Sequence, residues 1–188
     1  MLPSSLSKGY TLIELCVTLT IMSVLAFSAV SIAPQILQAK QADDAIKNVF
    51  RLFRLARTEA ITKGAVVTIC PLDLSGRCTN GWNQTLSMFV DEDNSRSLNQ
   101  GEAVVKTIKP PSSGRIEVAP QNRRYFQFGP LGGAKGTLGN VTYCSEPASD
   151  GMNTRQVVIS FSGRLRLARD EDRDGIAEYA NGIPVTCS

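Results

Sequence analysis

Two arginines, Arg164 and Arg166, are separated by a single leucine in the segment Gly163-Arg164-Leu165-Arg166. Successive side chains of a β-strand point to opposite faces, so on a strand both guanidinium groups would share one face and Leu165 would take the other. Arg169 can extend this row. Arginine binds phosphate oxygens through a planar fork of donors, so the spacing indicates a surface for phosphate groups. The competing interpretation is a solvated strand face, paired with nearby acids, that has a structural or subunit-packing role.

An acidic segment, Asp170–Gly175, follows the arginines directly. Its carboxylates occupy positions 1, 3 and 5, with glycine at position 6, as in the first half of a calcium-binding loop. These three candidate calcium ligands are Asp170, Asp172 and Asp174. Glu178 stands at position 9 and the Ile176 carbonyl is also available, but Asn181 replaces the usual glutamate at position 12. The alternative is a solvated acidic turn whose charges offset the neighbouring arginines.

A second group of acidic residues matches the spacing of a calcium-binding loop less well than Asp170–Gly175 does. It consists of Asp91, Asp93, Ser95 and Glu102, and Arg96 stands where a calcium loop needs glycine. We therefore interpret this stretch as a hairpin loop.

The chain of 188 residues contains no histidine. This removes the commonest general base and metal ligand, and with it Ser-His, Cys-His and His-zinc chemistry. We expect no catalytic residue and, calcium apart, no cofactor. The net charge is only +3, so any site for nucleic acid must be a local patch.

An apolar segment runs from Tyr10 to Ala33, and Glu14 is its only charged side chain. As a helix it would extend roughly 36 Å, enough to cross a bilayer. A carboxylate in such a segment costs several kcal/mol unless it is paired, so it usually marks function. The alternative is an ordinary signal-anchor with a stray glutamate near the interface.

Four features together resemble a type IV prepilin. They are a short polar leader (residues 1–9), the Gly9/Tyr10 junction, Glu14 at the fifth position after this junction, and an apolar helix that is retained after cleavage. Tyr10 stands where that family usually has phenylalanine. The resemblance implies cleavage after Gly9 by a prepilin peptidase and methylation of the new Tyr10 amine. It also implies that Glu14 faces this amine, on its own or a neighbouring subunit, during assembly. The expected location is the inner membrane, with a single pass and a periplasmic head, and later the pilus at the cell surface.

Five cysteines are present, of which Cys16 lies in the apolar segment. The other four can form two disulfides in three ways. We favour Cys70 with Cys78, which closes a short loop, and Cys144 with Cys187, which ties the C-terminal segment to the body. An oxidising periplasm would support them. A four-cysteine zinc site is the alternative, although the usual close spacing of its ligands is missing.

The segments after Pro34 predict one amphipathic helix and then β structure. Apolar residues from Ala42 to Ala60 recur four and three apart, and Gly64 indicates a helix end near Lys63. Short β-rich runs follow, and they suggest two antiparallel sheets. The predicted strands are Val66–Cys70, Leu86–Val90, Ala103–Ile108, Tyr125–Phe128, Val141–Cys144 and Val157–Phe161. Trp82 is expected to pack over the Cys70–Cys78 loop.

These elements define four segments. They are a leader (1–9), a transmembrane and assembly helix (10–33), an amphipathic helix half (34–64) and a β-rich head (65–188). We predict an α+β fold in which the long N-terminal helix packs on an antiparallel, β-sandwich-like head.

Several parts of the head are similar to minor pilins of the FimT/FimU type, relatives of the H-type pseudopilins. They are Leu52–Gly64, Val67–Cys70, Trp82, Phe89–Asp91, Phe128–Pro130 and Ser162–Arg166. The Gly-Arg-x-Arg segment resembles the motif with which FimT-type pilins bind DNA in natural transformation. The resemblance implies DNA contact by Arg164, Arg166 and Arg169. Implied partners are major and minor pilins, the inner-membrane assembly platform and double-stranded DNA. The alternative is an H-type pseudopilin of type II secretion that contacts secreted proteins.

Overall fold

The structure is a computed structural model that describes residues 9–109, 111, 113–146, 153–172, 176–179 and 182–187. Side chains of residues 27–33 and 35 are not included in this description. Two compact units make up the chain, Met1–Leu37 and Gln38–Ser188. Residues 1–8 of the expected leader lie outside the described residues.

Helix α1 (Leu12–Lys63) begins in the first unit. The Thr11 hydroxyl accepts a hydrogen bond from the Glu14 amide at 3.3 Å, which caps the start of the helix. Glu14 therefore stands in the first turn, where the helix dipole stabilises a carboxylate. In the described parts of the chain, no helix combines the length and apolar character that a membrane crossing requires.

The part of α1 that lies in the second unit buries one stripe of side chains. Ala42, Ile46, Val49, Phe53, Ala56 and Ala60 are spaced four and three apart and are almost fully inaccessible, and Leu52 beside Phe53 is buried with them. The helix ends at Lys63, and Gly64 follows with φ of 61°. Glycine adopts this left-handed conformation at little cost, so it is suited to end the helix. The predicted stripe and the predicted helix end are both confirmed.

Within the described residues, eight strands form two four-stranded antiparallel sheets. They are β1 (Val67–Pro71), β2 (Leu86–Val90), β3 (Val104–Ile108), β4 (Arg115–Ala119), β5 (Phe126–Phe128), β6 (Gly139–Cys144), β7 (Arg155–Ile159) and β8 (Leu165–Leu167). The first sheet has the order β3-β2-β1-β5 and the second β4-β6-β7-β8. The predicted fold class, a helix packed on antiparallel sheets, is confirmed.

Aromatic side chains connect α1 to the first sheet. The Phe53 ring meets Phe126 edge-on at a centroid distance of 5.2 Å and Phe128 at 6.3 Å. Trp82 also contacts Phe126, at 5.4 Å, and its indole N–H donates to the Arg123 carbonyl at 2.6 Å. The expectation that Trp82 packs over the small disulfide loop is therefore wrong. The indole packs in the main core instead, where Phe126 is its aromatic partner and the Arg123 carbonyl accepts its N–H.

Both favoured disulfides are formed. Cys70 pairs with Cys78, and Cys144 pairs with Cys187, with Cα atoms 5.5 and 6.0 Å apart. The first bridge belongs to a small apolar cluster with Phe89. The second joins the last residue of β6 to the C-terminal segment.

The loop after β2 is organised around Asp91, which is fully buried. Its carboxylate accepts hydrogen bonds from the Thr68 hydroxyl (2.7 Å) and the Gln127 amide group (3.1 Å). It also accepts the backbone N–H groups of Ser95 (2.9 Å) and Arg96 (3.1 Å). Protein donors therefore surround this carboxylate, and the hairpin-loop interpretation explains the acidic cluster.

The Asp93 and Glu102 carboxylates are used in the same way. Asp93 accepts from Ser95 and Asn99, and Glu102 accepts from the backbone N–H groups of Glu92 and Asn99. Carboxylate oxygens of Asp91, Asp93 and Glu102 lie within 4.8 Å of one another. Shared donors between them offset the repulsion of three like charges.

We predict that Asp91→Ala lowers the free energy of unfolding by about 3 kcal/mol, because buried donors lose a charged acceptor. Chemical denaturation monitored by tryptophan fluorescence measures the change. Asp93→Ala is the control: Asp93 is exposed, so its removal should cost less than about 1 kcal/mol. Equal losses for the two variants would contradict a structural role specific to Asp91.

Candidate functional site

The segment with the arginines begins in a tight turn between β7 and β8. The Ser160 amide donates to the Arg164 carbonyl at 3.0 Å, and the Gly163 amide donates to the Ser160 carbonyl at 2.9 Å. Gly163 has φ of 73°, and a Cβ atom there would collide with the Gly132 carbonyl oxygen. Only glycine fits both requirements, so this residue determines where Arg164 leaves the turn.

β8 is an edge strand of the second sheet. Leu165 and Leu167 pack against the core and lie opposite buried residues of β7, whereas Arg166 lies between them in the strand. The strand alternation therefore separates Arg166 from the two leucines, as predicted. Arg164 precedes the strand and Arg169 follows it, and both are exposed. Among the described residues, no salt bridge joins Arg164, Arg166 or Arg169 to a carboxylate.

A groove of about 530 Å³ separates β8 from the second half of α1. Apolar side chains line it from both elements: Ile46, Phe50, Leu165 and Leu167. Charged residues line it as well: Asp43, Lys47, Arg155, Arg166 and Arg169. The groove therefore combines an apolar lining with several cations beside the strand that carries the arginines.

Asp43 is the carboxylate of this groove, and two of the cations bind it. Arg155 Nε donates to Oδ1 at 2.8 Å, and Lys47 Nζ lies 3.3 Å from Oδ2. Partial burial acts to raise the pKa of the Asp43 carboxyl, but the hydrogen bonds and charges of Arg155 and Lys47 outweigh it and lower that pKa. Asp43 is therefore ionised at neutral pH. The sequence did not indicate Asp43 or Lys47, because only the fold brings this helix face beside β8.

The acidic segment after Arg169 folds back toward β8. The Glu178 amide donates to the Arg169 carbonyl at 2.9 Å, and Glu178 Oε2 accepts the Glu171 amide at 2.8 Å. Carboxylate oxygens of Asp170, Asp172 and Glu178 lie within 4.8 Å of one another. The Glu178 carboxylate, at position 9 of the suspected calcium loop, thus lies close to the carboxylates of Asp170 and Asp172, at positions 1 and 3. Asp174, the third predicted ligand, lies outside the described residues, as does Asn181.

The partial calcium loop predicts a thermal response. A site with the affinity of extracellular calcium modules would raise the melting temperature by about 2–4 °C in millimolar calcium. Differential scanning calorimetry with calcium, magnesium and chelator measures this. Glu178→Gln should abolish the response. A melting temperature that changes with neither calcium nor chelator would favour the solvated acidic turn.

The residues of the expected processing site lie before and within the first turn of α1. Gly9 and Tyr10 precede the helix and are exposed, Tyr10 to 87%. Glu14 follows in the first turn. The peptide bond after Gly9 is therefore accessible, and the carboxylate lies within a few residues of the amine that its cleavage would create.

Solved structures with the same fold are those of the type IV minor pilin FimU of Pseudomonas aeruginosa PAO1. In one crystal form FimU is 20% identical, with a TM-score of 0.55 over 69% of this chain and 90% of that chain. A second form gives a TM-score of 0.53 at 20% identity, over 68% and 92% of the two chains. The minor pseudopilin EpsH of the Vibrio cholerae type 2 secretion system is 15% identical, with a TM-score of 0.46 over 68% and 95%.

No curated protein sequence matches the chain. A family model does: the Type II transport protein GspH family matches residues 45–163, which include most of the second half of α1 and the strands up to the Gly163 turn. This match covers more than half of the chain, and FimU shares its fold. The protein therefore belongs to the Type II transport protein GspH family.

Proposed function

We propose that this protein is a minor pilin of a type IV pilus that primes pilus assembly and binds double-stranded DNA for uptake. The observation that carries the DNA-binding part is the exposed edge of the second sheet. There Arg164, Arg166 and Arg169 follow one another along the chain, with no salt bridge to a carboxylate in the described residues. Cations that have no carboxylate partner among the described residues are available to phosphate groups.

The N-terminal segment supports export and assembly as a pilin. A prepilin peptidase cleaves after the exposed Gly9 and the Tyr10 amine is methylated, which keeps its positive charge. The apolar segment 10–33 holds the protein in the inner membrane, with the head in the periplasm, until assembly into the pilus. Glu14 then pairs with a Tyr10 amine, on its own or a neighbouring subunit. This pair removes the cost of an isolated charge in apolar surroundings.

DNA binding of this kind depends on phosphate contacts and not on bases. Guanidinium groups grip phosphate oxygens in a fork, and the Gly163-Arg164-Leu165-Arg166 segment has no aromatic residue on which a base could stack. Binding should therefore be independent of sequence and weaken steeply with salt.

Replacing Arg164 and Arg166 together by alanine tests the DNA site. We expect the double variant to lose the gel shift of duplex DNA that the wild-type protein gives. If weak binding persists, its salt slope should fall by about 0.9 for each lost phosphate contact. The control is the double variant Lys106→Ala with Lys109→Ala, which removes the same charge from exposed positions on and after β3. Unchanged binding and an unchanged salt slope in the arginine variant would refute the proposed site.

The second candidate is an H-type pseudopilin of a type II secretion system, at the tip of a periplasmic pseudopilus in contact with secreted proteins. The family name, Type II transport protein GspH, favours it. Both candidates assemble with other pilins through the same N-terminal helix. Neither needs a catalytic residue or a cofactor.

Deletion of the gene separates the two candidates. We expect the deletion strain to lose twitching and natural transformation and to secrete proteins normally. Complementation with the Arg164→Ala, Arg166→Ala variant should restore twitching but not transformation, because assembly does not use these arginines. Loss of secretion alone would assign the protein to the pseudopilus.

A further inference from the structure

The outer side of β3 is an open sheet edge. β3 pairs with β2, and within the described residues no backbone hydrogen bond joins β3 to any other segment. Residues 104–107 are all exposed, and the apolar side chains among them, Val104 and Val105, are 38% and 40% exposed. Free backbone donors and acceptors beside apolar side chains form a template on which another extended chain can pair.

Other sheet edges of the head receive partners from nearby loops. At β5, the Lys135 amide donates to the Gln127 carbonyl at 2.9 Å, and the Gln127 amide donates to the Thr137 hydroxyl at 2.9 Å. At β4, Asn83 Oδ1 accepts the Ile116 amide at 2.6 Å. Loops of the chain thus pair with the edges at β5 and β4, whereas the described residues supply no such partner to β3.

A groove of about 570 Å³ lies between β3 and α1. Lys106 and Ile108 line it from β3, and they lie opposite the core residues Met88 and Leu86, whose face of the sheet they share. One face of α1, with residues three and four apart, forms the other wall: Gln41, Asp44, Ala45 and Asn48. Almost fully buried apolar residues also line the groove: Val49, Trp82, Leu86 and Ile116. A strand added to β3 would therefore direct alternate side chains toward this groove.

The charges of this edge favour an acidic partner. Lys106 lies in β3 and Lys109 follows the strand, and both are exposed and line the groove. Neither lysine forms a salt bridge with a carboxylate of the described residues. The described lining contains one carboxylate, that of Asp44, which belongs to α1 and not to the strand. A carboxylate on an added strand can therefore form a cross-strand ion pair with Lys106.

The same charges disfavour a second copy of this edge. Antiparallel pairing of residues 104–109 from two copies would combine four lysines, two from each copy, without a carboxylate. Like charges that face each other across a sheet are destabilising. β3 also contains a bulge, because Lys106 lies opposite Met88 and Val104 opposite Phe89, which leaves Val105 as the extra residue. Lysines and bulges hinder indiscriminate pairing at sheet edges, so this edge selects for a strand of opposite charge.

We propose that β3 and the groove beside it bind an extended, acidic segment of another filament subunit, which joins the first sheet as a fifth strand. The main chain of this segment pairs with the outer side of β3. One of its carboxylates meets Lys106 or Lys109, and an apolar side chain enters the groove. This inference rests on assembly with other pilins, which is part of the proposed function, and it names a surface for that assembly outside the N-terminal helix.

Hydrogen–deuterium exchange tests the inference on the full-length protein in a non-ionic detergent, alone and co-purified with co-expressed pilins of the same filament. We expect the outward-facing amides of residues 104–108 to exchange at least about ten-fold more slowly in the complex, because they gain an acceptor. The amides of Ser95 and Arg96 already donate to Asp91, so their exchange should stay unchanged and serve as the internal reference.

The possible results separate the inference from the proposed function. A complex in which residues 104–108 exchange as fast as in the free protein overturns the inference alone. Failure to form a complex with any of these pilins overturns the inference together with the assembly part of the proposed function. Protection of residues 104–108 that increases with the concentration of the protein alone also overturns the inference, because it assigns the edge to a second copy.

Charge reversal supplies a second test. Lys106→Glu with Lys109→Glu should weaken binding to the purified partner pilin about ten-fold or more, because an acidic segment then meets two carboxylates. Lys63→Glu with Lys135→Glu makes the same charge change at exposed positions outside the groove, and it should leave the affinity within about two-fold. Microscale thermophoresis measures both affinities, and an unchanged melting temperature verifies the fold. Equal effects of the two double variants would contradict an acidic partner at β3.

Discussion

The buried stripe of α1 is the constraint on which the second unit depends. The two sheets are separate in their hydrogen bonding, and both contribute buried side chains to the core that contains this stripe. Alanines at positions 42, 56 and 60 keep parts of the stripe small, and Phe53 fills the space toward β5. This alternation of small and large side chains leaves α1 little freedom to slide along its axis against the sheets, because protein interiors are close-packed. A shift of the helix along its axis would move every one of these contacts.

Because the helix packs on two sheets, their outer strands remain as edges. β3 and β5 bound the first sheet, and β4 and β8 bound the second. The helix therefore has a groove on each side, and the side chains that flank its buried stripe line these two grooves. On one side these are Asp43, Lys47 and Phe50. The loop around Gly132 fixes the far end of this side, since its carbonyl accepts Arg57 Nε at 2.9 Å and lies against Gly163.

Periodicity was sufficient to predict the helix stripe and the helix end, because local patterns determine both. It also located all four strands of the first sheet. β4 (Arg115–Ala119) was not predicted, because only Ile116 is buried in it and its charged residues imitate a loop. β7 was placed two residues late, since the hydrogen bonds of Ser160 already belong to the turn.

Long-range contacts could not be predicted from the sequence. The partners of Asp91, Thr68 and Gln127, lie on β1 and β5, and the Arg155–Asp43 pair joins residues 112 positions apart. Trp82 was misplaced for the same reason, because its acceptor, the Arg123 carbonyl, is 41 positions away. The arginine segment could be recognised because its residues are near neighbours in the chain, whereas the groove is lined by two elements that only the core brings together.

The Cys144–Cys187 bridge has a mechanical consequence. It closes a covalent ring that contains β7, β8 and the arginines. A pull applied to β8 therefore reaches β6 along two covalent paths, one through β7 and the other through Cys187. Resistance to forced unfolding is a matter of the unfolding rate rather than of equilibrium stability. The bridge thus divides a load on β8 between two covalent paths, so β7 bears only part of it.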